Sequence, residues 1–155
     1  MDNRSASGLR GSVSKELTNE DIEYLISEIR AIDADINVFR FNEGKRTGFS
    51  DRTGNINVKG DVFPDDESTH PRDKMSERAV LAHEFYGHYN FAPSAFPIGD
   101  WRDEFRASYI AAIKTPGLSH DDRKYLILDA YERAREAGHY LEHSKKAREI
   151  IYGRS

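Results

Sequence analysis

The sequence predicts an α+β fold, a small antiparallel sheet with about five helices, on three observations. Apolar residues recur at three- and four-residue steps after Thr18 and again beyond Ser76. Between those regions, from Ile36 to Phe63, extended-chain formers such as Val38, Phe39 and Phe41 cluster, and Gly44, Gly48, Gly54 and Gly60 punctuate them as turns would. Capping pairs, Thr18 with Asp21 and Ser119 with Asp122, stand ahead of periodic stretches.

Taken in order, residues 1–17 are rich in Ser, Gly, Asn and Arg and read as a flexible leader or linker remnant; residues 18–155 read as one domain. Ile22, Leu25, Ile26 and Ile29 form the apolar face of a first helix that ends near Ala34. The sheet follows, with Asn55–Lys59 as its last strand, then an acidic, Pro-containing loop from Val62 to Arg72. Ser76 opens a helix reaching Asn90, and the loop Ala92–Gly99 breaks it with Pro93 and Pro97. Asp100 caps a helix from Trp101 to Lys114, stopped by Thr115-Pro116-Gly117. Ser119 opens another to Glu136, closed by Gly138, and a last helix runs from His139 to Tyr152. Trp101, Phe105 and Tyr109 recur at helical spacing and are expected in the core, while Arg102 and Arg106 are expected to pair with Asp100 or Asp103.

The chain has 155 residues, enough for one modest core, with 37% hydrophobic and 32% charged residues. Eight Phe, eight Tyr and one Trp are too many for a disordered chain. The net charge is −4 and no basic run exceeds a pair such as Lys145-Lys146, which with Arg148 reads as a solvated helix face, so nucleic acid is not the expected partner. Without cysteine, neither disulfides nor thiolate ligands are available, and any metal must be held by His and carboxylates. No stretch approaches the roughly 20 apolar residues of a membrane span and no signal peptide is seen. The compartment is therefore open, cytoplasmic or reached by export as part of a longer polypeptide.

The segment His83-Glu84-Phe85-Tyr86-Gly87-His88 carries the chemistry. Two imidazoles and a carboxylate are the donors that hydrolytic zinc sites use while keeping one position for water. Histidines four apart lie about 40° apart around a helix and can share an ion, but five apart they lie about 140° apart. A one-residue π-bulge between His83 and His88 restores chelation, and Gly87 would ease it.

These residues resemble the His-Glu-x-x-Gly-His motif of the dipeptidyl-peptidase III family of zinc metallopeptidases, matched by His83, Glu84, Gly87 and His88. Asp103-Glu104-Phe105-Arg106-Ala107-Ser108 looks similar to that family's second motif, Glu-Glu-x-x-Ala-(Glu or Asp). The resemblance implies Zn2+ held by His83, His88 and Glu104, Glu84 as general base, and a minimal zincin-like (gluzincin) domain. Ser108 stands where the family has the carboxylate that orients a ligand histidine, and those peptidases are several times larger. More loosely, the chain resembles compact zincin-like domains of bacterial polymorphic toxins, which implies an inhibitory or immunity protein as partner.

The expected function is a zinc-dependent metallopeptidase hydrolysing a peptide or protein substrate. Zinc brings its water to a pKa of roughly 7 and Glu84 takes the proton. The substrate strand is expected along Asn55–Lys59, and the oxyanion donor is one of Tyr86, Tyr89, Arg106, Tyr109 and His120. Two alternatives are a metal-stapled, non-catalytic binding domain and a metal-free helical interaction module. His139 and His143 share a helix face four residues apart but read as solvated, His70 reads as exposed, and His120 as structural, a site role for it staying open.

Overall fold

The Thr18 hydroxyl accepts from the Asp21 N–H while the Asp21 carboxylate accepts from the Thr18 N–H, and helix α1 (Asn19–Ala31) begins there. A computed structural model describes residues 15–64, 68–97 and 99–153. Leu25 and Ile29 are buried on α1, with Ile22 and Ile26 half-buried beside them. The helix stops short of Ala34 because Asp33 turns into the left-handed region at φ 56°. Folded structure starts before residue 18: Leu17 is buried, its N–H donates to Asn42 Oδ1, and its carbonyl accepts from Asn42 Nδ2. The rest of the expected leader, residues 1–14, lies outside the described residues.

The sheet is mixed, which corrects the antiparallel expectation. Its order is β1 (Phe39–Phe41), β3 (Ile56–Val58), β2 (Gly48–Phe49), with β1 parallel and β2 antiparallel to β3. The segment 55–59 is thus the central strand and not the edge expected to receive a substrate; β2 is an edge. Strands of two and three residues are too short to express an alternating pattern from which pairing could be read. Gly44, at φ 80°, lies where a Cβ would meet the Asn57 side chain at 2.6 Å, so the turn into β2 needs glycine. Buried Asp61 secures the far side of that turn, accepting from the Thr47 N–H at 3.0 Å and the Thr47 hydroxyl at 2.6 Å.

Beyond the sheet, the expected Val62–Arg72 loop ends in a short helix, α2 (Pro71–Lys74), capped by His70, whose Nδ1 accepts from the Arg72 N–H. Ser76 caps α3 (Glu77–Ala82), whose Ala79, Val80, Leu81 and Ala82 are fully buried, which places it at the centre of the molecule. The chain continues without a break into a π-helical turn (His83–His88) and a 3₁₀ turn (Tyr89–Phe91). Helix α4 (Trp101–Lys114) follows its Asp100 cap, and α5 (His120–Glu136) follows the Ser119–Asp122 capping box.

The last helix, α6 (Lys145–Tyr152), starts six residues later than expected because Ser144 is its cap and Gly138, at φ 88°, has already ended α5. His139 and His143 therefore share no helix face: His139 stacks on Trp101 and His143 meets Tyr131 edge-on. The aromatic stripe of α4 is also displaced from expectation. The side chains α4 buries are Asp103, Glu104, Ala107, Ser108, Ala111 and Ala112, small or acidic because α3, the π turn and α5 pack closely on that face. Trp101 and Phe105 are half-buried beside it, Phe105 against Tyr131 at 5.0 Å, and only Tyr109 of the three joins the rim of the core. Among the described residues no helix is long and apolar enough to cross a membrane.

Candidate metal centre

The five-residue spacing that an ideal helix cannot use is accommodated as expected, by π-helical backbone over His83–His88, in which the Tyr89 N–H reaches back five residues to the Glu84 carbonyl. One added residue per turn brings His88 over His83, with Nε2 atoms 3.1 Å apart. Gly87, expected to ease the bulge, also has a packing reason to be glycine. A Cβ there would meet Ala107 Cα at 2.7 Å, so glycine is what lets the π turn lie against α4, and α4 carries Glu104. Arg106 fastens the same contact by donating to the Gly87 carbonyl at 2.8 Å.

Glu104 Oε1 completes a triangle, 3.0 Å from each Nε2, and all three side chains are buried. The tautomers follow from the groups behind the rings. Ser108 Oγ lies 2.7 Å from His83 Nδ1 and 2.6 Å from Asp129 Oδ2. Its single hydrogen goes to the carboxylate, so toward His83 it accepts, Nδ1 carries the proton, and Nε2 presents a lone pair. Behind His88, Asp103 Oδ2 lies 3.3 Å from Nδ1, and the other Asp103 oxygen is held by Ser94 and Arg106. With both rings neutral and protonated on Nδ1, two imidazole lone pairs and a carboxylate oxygen converge here; without a cation His88 is held protonated and its Nε2 donates to Glu104. A tetrahedral ion with arms of about 2.0–2.1 Å would space such atoms about 3.3 Å apart, within a few tenths of an ångström of what is found.

The charges around this triangle are balanced by α5. Asp129 accepts from Arg72 Nε and Arg133 Nε, each at 2.8 Å, and although burial alone would raise its pKa, Arg133 and Arg72 hold it below the usual carboxylate range. Arg133 also reaches to 3.6 Å from Glu104 Oε1. Burial opposes ionisation of Glu104, but His88 and Arg133 outweigh it and keep its pKa well below the ordinary value. His83 is driven down to about 4 by burial. For His88 burial acts downward too, but Glu104 and the contact to Asp103 prevail and push it up to about 10.

Glu84 is fully buried beside the triangle. Its Oε1 accepts from the Phe49 N–H of β2 at 3.0 Å, its Oε2 has no hydrogen-bond partner among the described residues, and burial pushes its pKa up to about 8. The Phe49 N–H is turned away from β3, because the Ser50 N–H, one residue on, is the one that pairs with the Asn55 carbonyl.

Sequence reasoning missed Asp129, Arg133 and Phe49. The first two had a signal: they interrupt the inner stripe of α5 formed by Leu126, Ala130 and Ala134, and charges on an apolar stripe mark a buried network. The expected pairings of Arg102 with Asp100 and Arg106 with Asp103 are present. Of the five oxyanion candidates, Tyr86 donates to the Ile32 carbonyl, Tyr109 bonds Ser144, Arg106 is committed to Gly87, Ser94 and Asp103, and His120 is exposed at the start of α5. The Tyr89 hydroxyl has no partner among the described residues, while its ring packs on Phe85 and Phe49.

His70, Glu132 and Glu136 also lie close together, with His70 Nε2 2.9 Å from Glu136 Oε2. His70 Nδ1 already accepts the Arg72 N–H, so Nε2 carries the ring proton and donates to Glu136; no lone pair faces the acids. This cluster is a helix cap tied to α5, and His70 is half-buried, not exposed as expected.

No protein-family model matches the chain, and no curated protein or solved structure is detectably similar to it.

Proposed function

We propose that the chain is a zinc-dependent metallohydrolase, a small gluzincin-like peptidase acting on a peptide or protein. The observation that carries this is the convergence of His83 Nε2, His88 Nε2 and Glu104 Oε1 within 3.0–3.1 Å, with Ser108 holding His83 in the tautomer whose lone pair faces inward. Three such protein donors, with room for a fourth ligand, are the donor set of catalytic zinc. A zinc ion held there would supply Lewis acidity toward a carbonyl and a water acidified to roughly neutral pKa.

The chain's own residues provide the remainder. Glu84 keeps one oxygen on the Phe49 N–H and leaves Oε2 to take a proton from the attacking water and return it to the leaving amine. Burial raises its pKa in the metal-free protein, and a divalent cation beside it would draw that value back down toward the range in which it accepts and releases a proton. The outer edge of β2, where the Phe49 N–H already holds Glu84 and only the Phe49 carbonyl remains to pair, replaces Asn55–Lys59 as the place for an extended substrate backbone. Asp129 through Ser108 holds His83 in the ligand tautomer, and Asp103 Oδ2 faces His88 Nδ1 from behind at 3.3 Å. Ser108 is thus no gap in the site, since the carboxylate missing from the motif is supplied one hydrogen bond further back, from α5.

The near-complete burial of the three donors favours a second function for the same ion, a staple joining the π turn to α4. A mixture of quenched fluorescent peptides, read with zinc, after chelation and after zinc is restored, separates the two. Cleavage that disappears on chelation and returns with zinc is expected. Cleavage that persists in chelator contradicts the assignment, and its complete absence in the zinc-loaded protein favours the staple.

A further inference from the structure

A cavity of about 330 Å³ adjoins the triangle, with His88 in its wall. Its apolar lining is formed chiefly by Phe49, Pro93, Phe96 and Pro97, and its polar lining by Asp51, Ser94, Asp103 and Arg106. Phe49 ties the cavity to the site twice over: its backbone N–H holds Glu84, and its ring lies nearly parallel to the His88 imidazole, with centroids 6.5 Å apart. An extended chain beside the Phe49 edge sends alternate side chains to opposite faces, so a residue flanking the bond at the triangle is delivered into this space.

The charges within reach decide what fits. At the base, Asp103 and Arg106 satisfy each other at 3.0 Å, and Ser94, Gly87 and His88 take up much of their remaining capacity. The pair is neutral overall, so the base offers no net charge to an ionic side chain, and Arg106 Nε and Asp103 Oδ2 are buried there without a hydrogen-bond partner among the described residues. On the wall, Arg102 lies over the Phe96 ring at 4.3 Å, which holds that ring in place. Asp51 is exposed at the mouth and has no ion-pair partner among the described residues, so it repels an entering carboxylate.

We propose that the cavity walled by Phe49, Pro93, Phe96 and Pro97 is the specificity pocket of this cleft, taking a bulky apolar side chain, aromatic above all, from the residue flanking the bond that is cut, and turning acidic residues away. This rests on the metallohydrolase assignment, so the test carries a control for it. Zinc-loaded protein is titrated calorimetrically with acetohydroxamate, which reports on the ion alone, and with the hydroxamates of N-acetyl-glycine, N-acetyl-phenylalanine and N-acetyl-aspartate.

The phenylalanine compound is expected to bind at least about tenfold more tightly than the glycine compound, as burial of an aromatic ring in an apolar pocket allows, and the aspartate compound more weakly than glycine. Phe96→Ala, which opens the wall, and Ala92→Trp, which fills the space, should each erase the phenylalanine preference and leave acetohydroxamate binding unchanged. Equal affinity for the three amino-acid compounds alongside normal acetohydroxamate binding overturns the pocket alone. Failure of acetohydroxamate to bind overturns the zinc assignment and the pocket with it.

Discussion

Asp129→Ala is expected to lower folding stability, measured by urea unfolding of metal-free protein, by about 3–5 kcal/mol, the usual cost of removing one partner from a buried charge network. Asp129 is fully buried, and its two oxygens receive Arg72, Arg133 and Ser108. Without it, two guanidinium groups lose their central counter-charge and the Ser108 hydroxyl loses the acceptor that makes it accept from His83. Zinc affinity should then fall by about 10–100-fold, as when the group orienting a ligand histidine is removed. Ser108→Ala keeps the ion pairs and is expected to reproduce the affinity loss with a much smaller stability loss. A stability change below about 1 kcal/mol for Asp129→Ala, the scale of exposed pairs, would contradict the network.

The same carboxylate sets an acid limit. Its folded-state pKa lies below the usual 3.8, so its contribution is complete above that value and is lost as pH falls from there toward the folded-state pKa. Wild-type stability should therefore drop steeply below about pH 4, and the Asp129→Ala profile should be flatter in that window.

Glu84→Gln is expected to reduce peptide hydrolysis by about 10²–10⁴-fold, the range for loss of a general base, with zinc content unchanged. A glutamine carbonyl can still accept the Phe49 N–H that now meets Oε1, so the local fold keeps its hydrogen bond. What disappears is the oxygen without a partner, the one available to a proton. Folding stability should hold or rise, since a buried carboxyl that resists ionisation is replaced by a neutral group. Unchanged hydrolysis would remove Glu84 from the chemistry, and a collapse of stability with loss of metal would favour the staple.

Features written in local chemistry are legible in the sequence. Thr18 and Ser119 each face an Asp three residues on, and both capping boxes form, because a cap needs only its own turn. The His83–His88 spacing is legible for the same reason: a mismatch of one residue has few helical solutions, and the π turn is one of them. Features that depend on distant partners are not. The parallel pairing of Phe39 with Ile56 follows from how the chain returns to the sheet, not from the identity of either residue. Trp101 and Phe105 look like core because their spacing is helical, yet close packing of α4 on the π turn admits only small and acidic side chains, so the large rings are displaced to the flank.

The candidate site divides along the same line. His83, Glu84, His88 and Glu104 announce themselves by motif. Asp129 cannot, since its link to His83 runs across 21 residues of sequence to Ser108 and 25 more to His83, and exists only once α5 is laid against α4. Ser108 looks like a departure from the family pattern for that reason.

His83, His88 and Glu104 are proposed to hold one zinc ion. Elemental analysis of untagged protein, after reconstitution and removal of excess metal, tests it most directly. About one equivalent of zinc is expected in the wild type, retained in Glu84→Gln and sharply reduced in His88→Ala and Glu104→Ala. Less than about a tenth of an equivalent in the reconstituted wild type, or undiminished retention in Glu104→Ala, would contradict it.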